Sequence, residues 1–182
     1  MNPTFDPATE RARFAARQAF LARQAQLRLD LAEGITFQPE TRESVEDQVI
    51  EALWAEGLTL DTAPAEDLAE TRSSFAVLAP RREPGGLSLA ATLMLGFPDA
   101  TRDRRLAALH GLPEQLLLEL SDGSRVPPQV DRGTAGPDDR LPSVLALRFL
   151  IPDGRSIAAL VCNHAQLPGR WEAPAAWSAW AS

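Results

Sequence analysis

The chain has 182 residues, 45% of them hydrophobic and 24% charged, and its 25 acidic and 18 basic residues give a formal charge of −7. This composition is typical of a globular chain with one sizeable core, and the negative field disfavours nucleic acid as a partner because it repels phosphates. All basic residues are arginines and Cys162 is the single cysteine, which excludes lysine Schiff-base chemistry, a Gly-Lys-Ser/Thr phosphate loop, an intramolecular disulfide and a zinc site of several thiolates.

The N-terminal part is predicted to be helical. A first helix is predicted over residues 6–33, with Asp6 as its N-cap, Pro7 at its first position and Gly34 after its end. A short extended piece over residues 35–37 follows. A second helix is predicted from about residue 41, because apolar residues then recur at helical spacing until Gly57.

Acidic residues are concentrated in and after the second helix. Between Glu40 and Glu70 ten acidic residues stand against Arg42 alone. Such a run is typical of a solvated acidic face, and it also suits a docking surface for a basic partner.

Residues 85–165 are predicted to form strands. Apolar residues alternate over residues 87–97, which indicates a strand, and Asp99 is expected to cap a short helix that ends at His110 and Gly111. The next strand is predicted over residues 115–120.

Two hairpins are expected in the second half of the chain. Asp122-Gly123 is a turn signal, and Pro127-Pro128 places the returning strand at a sheet edge because proline has no N–H to donate. Residues 131–142 are expected to be a loop. The apolar stretches 144–151 and 156–162, joined by a turn, are predicted to form a second hairpin near the centre of the sheet.

Together these elements predict one α+β domain over residues 1–182. Its helical part spans residues 6–80 and packs on a four- to five-stranded, mainly antiparallel sheet over residues 85–165. A short C-terminal helix is expected over residues 171–181.

Cys162 and His164 come at the end of the last predicted strand and are two residues apart, so they lie on the same side if the strand continues. Such a pair has the chemistry of a metal site or of a nucleophile and its base. It is also the pattern of a small buried hydrophobic residue beside a structural histidine.

A second set of polar residues lies around the second helix. Gln48 and Glu51 are three positions apart and share a face with Glu40 and Arg42 at the helix start. These groups are suited to anchor a polar ligand or to act as acid and base, and they equally suit a capping and salt-bridge network.

The C-terminal tail contains three of the four tryptophans, Trp171, Trp177 and Trp180. Trp177 and Trp180 are three positions apart, so a short helix can place both indoles on one apolar surface. That surface is expected either to pack on the chain's own sheet or to anchor a protein partner or second subunit.

Three stretches resemble a family of uncharacterised bacterial proteins called DUF3501. The stretches are residues 35–45 (Ile-Thr-Phe-Gln-Pro-Glu-Thr-Arg-Glu-Ser-Val) with Gln48, Glu51 and Glu56, residues 90–95 (Ala-Ala-Thr-Leu-Met-Leu) with Pro98 and Asp99, and Asn163-His164 before the terminal helix. The likeness covers most of residues 10–180. Around His164, where the family pattern has its reactive residues, the chain departs from that pattern: Asn163, Ala165 and Leu167 replace the family's aspartate, proline and tyrosine.

The resemblance implies that the chain is a diverged member that retains one histidine, His164, without the neighbouring carboxylate that would orient it. Family members are often encoded beside rubrerythrin-like and iron–sulfur oxidoreductase proteins. This association implies a role near iron or redox chemistry.

Two functions are expected from these features. The first is a non-catalytic accessory protein that binds a protein partner, since two histidines, one cysteine and no lysine or tyrosine are poor equipment for catalysis. The alternative is an enzyme or small-ligand-binding protein with one polar site. The residues of that site are Glu40, Arg42, Gln48, Glu51, Asn163 and His164.

The residue composition also gives expectations for the cellular location and the cofactors. No apolar run approaches the roughly 20 residues that cross a bilayer, and the first residues lack the pattern of an export signal, so a cytoplasmic location is expected. No cofactor and no membrane partner are predicted from the residues, and a homo-oligomer is compatible with either function.

Overall fold

Two antiparallel sheets, five α-helices and a short 3-10 helix (Pro113–Gln115) make up the part of the chain that the computed structural model describes, residues 7–130 and 141–180. The side chains of residues 7–13, 16 and 179 lie outside it. The helices are α1 (Pro7–Leu27), α2 (Arg42–Ala55), α3 (Ala65–Ala76), α4 (Asp99–Ala108) and α5 (Trp177–Trp180). The strands are β1 (Leu29–Ala32), β2 (Ile35–Pro39), β3 (Arg81–Glu83), β4 (Gly86–Leu95), β5 (Leu116–Leu120), β6 (Arg125–Val126), β7 (Gln129–Val130), β8 (Val144–Pro152), β9 (Ile157–Cys162) and β10 (Gly169–Glu172).

The larger sheet has six strands, in the order β1-β2-β4-β8-β7 with β3 also paired to β4, and the smaller sheet has the order β10-β9-β5-β6. The α+β class and the antiparallel pairing are confirmed, and the strands are divided between two sheets. One hydrophobic cluster contains residues of both sheets, so the two sheets share a core. None of the helices in the described ranges is both long and apolar enough to span a membrane.

Strand β4 organises the larger sheet and confirms the strand predicted over residues 87–97. Its Leu89 and Leu93 are fully buried in the shared core, whereas Ser88, Ala90 and Thr92 lie on the opposite face because side chains alternate along a strand. Helix α2 is joined to that opposite face, since Ser44 of α2 and Thr92 of β4 both donate to the Glu40 carboxylate. Its buried side chains belong to a separate set that is not part of the shared core, namely Ser44, Val45, Val49 and Leu53.

The predicted second hairpin is wrong, because its two strands belong to different sheets. Strand β8 pairs with β4 and β7, and β9 pairs with β5 and β10. The connection at residues 152–156 turns a corner between the sheets. A buried strand has the same apolar pattern on either side of a corner as in a hairpin, so the pattern does not distinguish the two connections.

The first predicted hairpin is partly confirmed. Strands β5 and β6 are joined through Gly123, whose φ of 81° is the left-handed conformation that glycine favours, and β6 lies at the edge of its sheet. After Pro127-Pro128 the chain leaves this sheet and enters the larger one as β7. Of the predicted loop over residues 131–142, residues 131–140 lie outside the described residues.

The first helix is shorter than predicted, because it ends at Leu27 rather than at residue 33. Residues 29–32 form β1, which turns at Gly34 (φ 75°) and pairs with β2. Leu29 and Leu31 alternate with exposed Asp30, so the short period-two pattern outweighs the helical spacing. The predicted N-cap, Asp6, lies outside the described residues.

The second helix is confirmed, and a capping box fixes its start. The Thr41 hydroxyl accepts from the backbone N–H of Ser44 at 3.0 Å, and the Ser44 hydroxyl accepts from the N–H of Thr41 at 2.8 Å. The predicted cap of α4 is wrong, since Pro98 occupies the N-cap position. Asp99 is the first helical residue, where its charge still complements the helix dipole.

The predicted C-terminal helix over residues 171–181 is wrong in extent, since residues 169–172 form β10 and α5 begins at Trp177. Trp177 and Trp180 are each 1% exposed and pack on the ring of Phe37. The indole N–H of Trp177 donates to the Leu27 carbonyl at 2.7 Å, and that of Trp180 donates to the Glu40 carbonyl at 3.1 Å. Both tryptophans are therefore core residues, as the first alternative expected.

Because these indoles are buried, neither is available as an anchor for a partner, and the assignment of Trp177 and Trp180 to a partner interface is wrong. Trp171 differs from them, since it lies in β10, is partly buried and packs against the shared core. Strand pairing explains this difference. In a strand, alternate side chains point to opposite faces, and Trp171 does not share a helix face with the other two.

Replacing Trp180 with alanine is expected to lower the free energy of unfolding by about 3–5 kcal/mol, because it removes a buried ring and the donor to the Glu40 carbonyl. Chemical denaturation measures this loss. Val144→Ala, at a side chain that is 61% exposed, is the matched control and should change stability by less than about 0.5 kcal/mol. A Trp180→Ala protein as stable as the Val144→Ala protein would contradict the core assignment.

The outer face of the smaller sheet carries an ion-pair network centred on Glu119. Arg170 lies 2.8 Å and Arg125 lies 3.2 Å from its carboxylate, and Arg170 also pairs with Glu172. The hydrogen bond from Arg170, followed by that from Arg125, lowers the pKa of Glu119, although partial burial opposes this shift.

A lowered pKa in the folded state stabilises the fold above the pKa of the unfolded chain, and this stabilisation is lost as the pH falls through the folded-state pKa. Glu119→Gln is therefore expected to lower the melting temperature at pH 7 and to have little effect in acid. Thermal denaturation across pH 3–7 measures the difference. Equal losses at both ends of this range would show that the glutamate acts through packing rather than charge.

Candidate functional site

The buried carboxylate of Glu40 is the centre of the candidate site. Glu40 directly follows β2, its backbone N–H donates to the Ala90 carbonyl at 2.9 Å, and it is only 4% exposed. A buried carboxylate is costly unless hydrogen bonds replace its lost water. Three neutral side chains provide them: Ser44 at 2.7 Å and Gln48 at 3.0 Å to Oε2, and Thr92 at 2.5 Å to Oε1.

Local sequence spacing explains why these donors meet. Ser44 and Gln48 are one helical turn apart on α2 and therefore point to the same side as Glu40. The Ser44 hydroxyl accepts from the N–H of Thr41 in the helix cap, and its own proton faces two acceptors, the Glu40 carboxylate at 2.7 Å and the Thr41 carbonyl at 3.0 Å. Thr92 donates to the carboxylate from the face of β4 that is opposite the shared core. The start of α2 and the larger sheet are consequently tied together through one side chain.

A cavity of about 170 Å³ lies beside this carboxylate, and we call it the Glu40 pocket. Helix α1 contributes Phe20 and Gln24 to its wall, and the amide of Gln38 donates to the amide oxygen of Gln24 at 2.8 Å. The pocket is lined by Phe20, Gln24, Gln38, Glu40, Ser44, Asp47, Gln48 and Glu51.

The pocket is electrostatically negative. Burial, followed by the neighbouring negative charges of Glu43 and Glu51, raises the pKa of Asp47, while Arg23 and Arg17 oppose this shift. Those two arginines belong to α1 and form ion pairs of 2.5 Å with Glu43 and Glu51. Neither Glu40 nor Asp47 forms an ion pair with a residue that the structure describes.

A second, larger cavity of about 540 Å³ adjoins the first, and we call it the Arg42 groove. Gln24 lines both cavities. The groove is lined by Arg23, Gln24, Gln26, Leu27, Thr41, Arg42, Glu43, Pro80, Ala176 and Trp180. Arg42 is therefore close to Glu40 in sequence, but it lines the groove and not the Glu40 pocket.

His164 lies in a different environment. Its ring is buried, Nε2 lies 3.0 Å from the His110 carbonyl, and Nδ1 accepts from the backbone N–H of Gln166 at 3.2 Å. Since Nδ1 is the acceptor, Nε2 carries the proton and donates to that carbonyl. Both ring nitrogens are thus used in holding the turn after β9, which is a structural role.

The predicted pairing of thiol and imidazole is not formed. The Cys162 sulfur accepts from the backbone N–H of His164 at 3.4 Å, rather than contacting its ring. Burial raises the pKa of the Cys162 thiol, which disfavours the reactive thiolate. Asn163 is exposed, and its backbone N–H donates to the Gln115 carbonyl at 3.1 Å.

The structure thus brings together Glu40, Gln48 and Glu51 and places Arg42 in the adjoining groove. Asn163 and His164 line neither cavity, so the single site that was predicted from all six residues is divided. Among the side chains that the structure describes, no group of three or more His, Cys, Asp or Glu is arranged to hold a metal ion.

Sequence reasoning missed several residues of the pocket. Ser44 had a usable signal, because it lies four positions after Glu40 and four before Gln48 on one helix face. Phe20, Gln24 and Gln38 had none. They approach from other elements, and their spacing along the chain carries no information about that contact.

Comparison with known proteins agrees with the fold and supplies no activity. Residues 7–174 match the family model described as "Protein of unknown function (DUF3501)". A similar solved structure is the crystal structure of a novel protein of unknown function from Burkholderia pseudomallei K96243. It is 20% identical, with a TM-score of 0.74 over 95% of this chain and 92% of that chain. No curated protein matches the sequence.

The raised pKa of Asp47 predicts a stabilising substitution. A carboxyl whose pKa is higher in the folded state destabilises the fold above that pKa, and this penalty disappears as the pH falls and both states become protonated. Asp47→Asn is therefore expected to raise the melting temperature at pH 7, with a gain that shrinks in acid. Thermal denaturation from pH 3 to pH 8 measures it, and a loss of stability at pH 7 would contradict the repulsion.

Proposed function

The chain belongs to the DUF3501 family, and from the geometry of its two cavities we propose that it is a non-catalytic accessory protein that binds a partner through a basic group held in the Glu40 pocket. One observation carries this proposal. Glu40 is a buried carboxylate that lines a cavity and has only neutral hydrogen-bond donors among the residues described.

A basic group is the ligand that this environment favours. A buried anion without a cation is costly, and a ligand ammonium or guanidinium in the pocket would compensate Glu40 and Asp47 together. Burial and then repulsion from Glu43 and Glu51 raise the pKa of Asp47, and the same ligand would relieve that repulsion. Phe20 adds an aromatic wall, a surface that attracts cations.

The small number of reactive side chains near the pocket supports binding rather than catalysis. The imidazole of His164 is committed to the turn after β9, and the Cys162 thiol is buried with a raised pKa. The groups that remain near the pocket are carboxylates, amides and a serine hydroxyl, which is engaged in the cap of α2. They are suited to hold a cation in place.

A protein partner agrees with the wider charge distribution. Helices α2 and α3 carry most of the acidic residues between positions 40 and 70, and the whole chain has a charge of −7. Such a field attracts a basic surface and speeds its association. A redox or iron enzyme as that partner stays a prediction from the family resemblance.

The small volume of the pocket favours a second candidate, a free small amine, as the ligand. Both candidates need the same cation contact with Glu40. They differ in whether the adjoining groove contributes to binding.

The pocket is tested with n-butylammonium, the side-chain analogue of lysine, and with neutral n-butanol. We expect the amine to bind and to shift the side-chain amide NMR signals of Gln24, Gln38 and Gln48, whereas butanol at equal concentration should not. Glu40→Gln should weaken amine binding about tenfold or more, because it removes a buried charge from the contact.

Glu66→Gln, at an exposed acidic residue of α3, is the matched control and should leave amine binding unchanged. Since Glu40→Gln changes a buried network, Asp47→Asn provides a second test at a residue of lower burial and should also weaken binding. Equal affinity for butanol and butylammonium, or no effect of either pocket variant, would overturn the proposal.

A further inference from the structure

Resting on the proposed function, we infer that the ligand is a polypeptide segment of a partner that presents a basic side chain to the Glu40 pocket and a nearby carboxylate to Arg42. The Glu40 pocket and the Arg42 groove then act as two halves of one docking surface. The inference rests on how the two cavities adjoin, on the apolar floor of the groove and on the order of charges along it.

The two cavities lie along one cleft between α1 and α2. From the pocket to the groove, the lining residues of α1 advance from Phe20 to Leu27, while those of α2 move back from Gln48 toward Thr41. The helices therefore run in opposite directions along the cleft. Gln24 lies where the cavities meet and contributes to both, so a chain that leaves the pocket along α1 enters the groove within about one helical turn, roughly 5 Å.

The groove is suited to a peptide. Its volume of about 540 Å³ falls in the usual range for ligand sites, roughly 300–1,000 Å³. Pro80 and Ala176 are partly exposed and provide apolar surface, and the amide of Gln26 provides a group that can hydrogen-bond to a peptide backbone.

The charges of the cleft define the order of charges in the ligand. Arg23 is paired with Glu43, so these two groove charges compensate each other. Arg42 is exposed and forms no ion pair with any residue in the described ranges. A guanidinium binds a carboxylate through two parallel hydrogen bonds. A segment complementary to the cleft therefore has a basic residue for the pocket and an acidic residue for Arg42.

The test uses fluorescent Gly/Ser peptides of eleven residues with one lysine and one glutamate, separated by one to four residues. Binding is measured by fluorescence polarisation at low salt. For the best spacing, replacing the peptide glutamate with glutamine should weaken binding to the wild-type protein about two- to fivefold, the usual effect of an exposed ion pair. The same replacement should have no effect on the Arg42→Gln protein.

Arg104→Gln, at an exposed arginine of α4, is the matched control and should retain the full effect of the peptide glutamate. Circular dichroism should be unchanged in Arg42→Gln, because Thr41 and Ser44 still cap α2. The result at Arg42 is thus a double-mutant cycle, which isolates the contact between the two side chains from any general loss of charge.

The outcomes separate this inference from the proposal on which it rests. If the peptide glutamate contributes nothing while the peptide lysine is required, the docking inference is overturned and the cation pocket stands. If butylammonium binds but none of the peptides does, the ligand is a free amine and the inference is likewise overturned. If a peptide with glutamine in place of its lysine binds as well as the lysine peptide, and butylammonium does not bind, the proposed function itself fails.

Discussion

Glu40 connects several elements of this fold through both its buried side chain and its backbone. Its carboxylate ties α2 to β4, its backbone N–H completes the pairing after β2, and its carbonyl accepts the indole N–H of Trp180 from the C-terminal helix. Burying such a charge costs desolvation free energy unless hydrogen bonds compensate it. The structure satisfies it with neutral donors and leaves a cavity at its side, so the same residue serves both the architecture and the candidate site.

Near Glu40, one face of α2 carries several acidic residues that repel one another. Acidic residues at positions 43, 47 and 51 recur on α2 at helical spacing, and the arginines of α1 compensate only part of this charge. Burial, followed by the remaining repulsion, raises the pKa of Asp47. Sites that are built to bind often retain repulsion of this kind, since removing it stabilises the fold at the expense of function. The stability of this region and the cation binding that we propose for it are therefore opposed.

The errors of sequence interpretation have a common physical origin. Residues 28–33 satisfy both a helical and an alternating pattern, and only the pairing of β1 with β2 selects the strand. Likewise β8 and β9 are each apolar enough for a hairpin, and the corner between them becomes evident only when their partners in two different sheets are known. By contrast α2 and β4 were predicted well, because apolar residues at helical spacing, a terminating glycine and a long alternation are local signals that tertiary contacts did not override.

The sequence by itself determined the chemical character of this protein: a charge of −7, few reactive groups, and Glu40, Gln48 and Glu51 placed on one side of a helix start by the 3.6-residue period. The tertiary structure alone decided that Gln24 and Gln38 complete the pocket, that Arg42 lines the adjoining groove, and that His164 holds the turn after β9 and lines neither cavity. The reason is that periodicity constrains side chains within one element. Contacts between elements depend on how sheets and helices share a core, which local spacing does not encode.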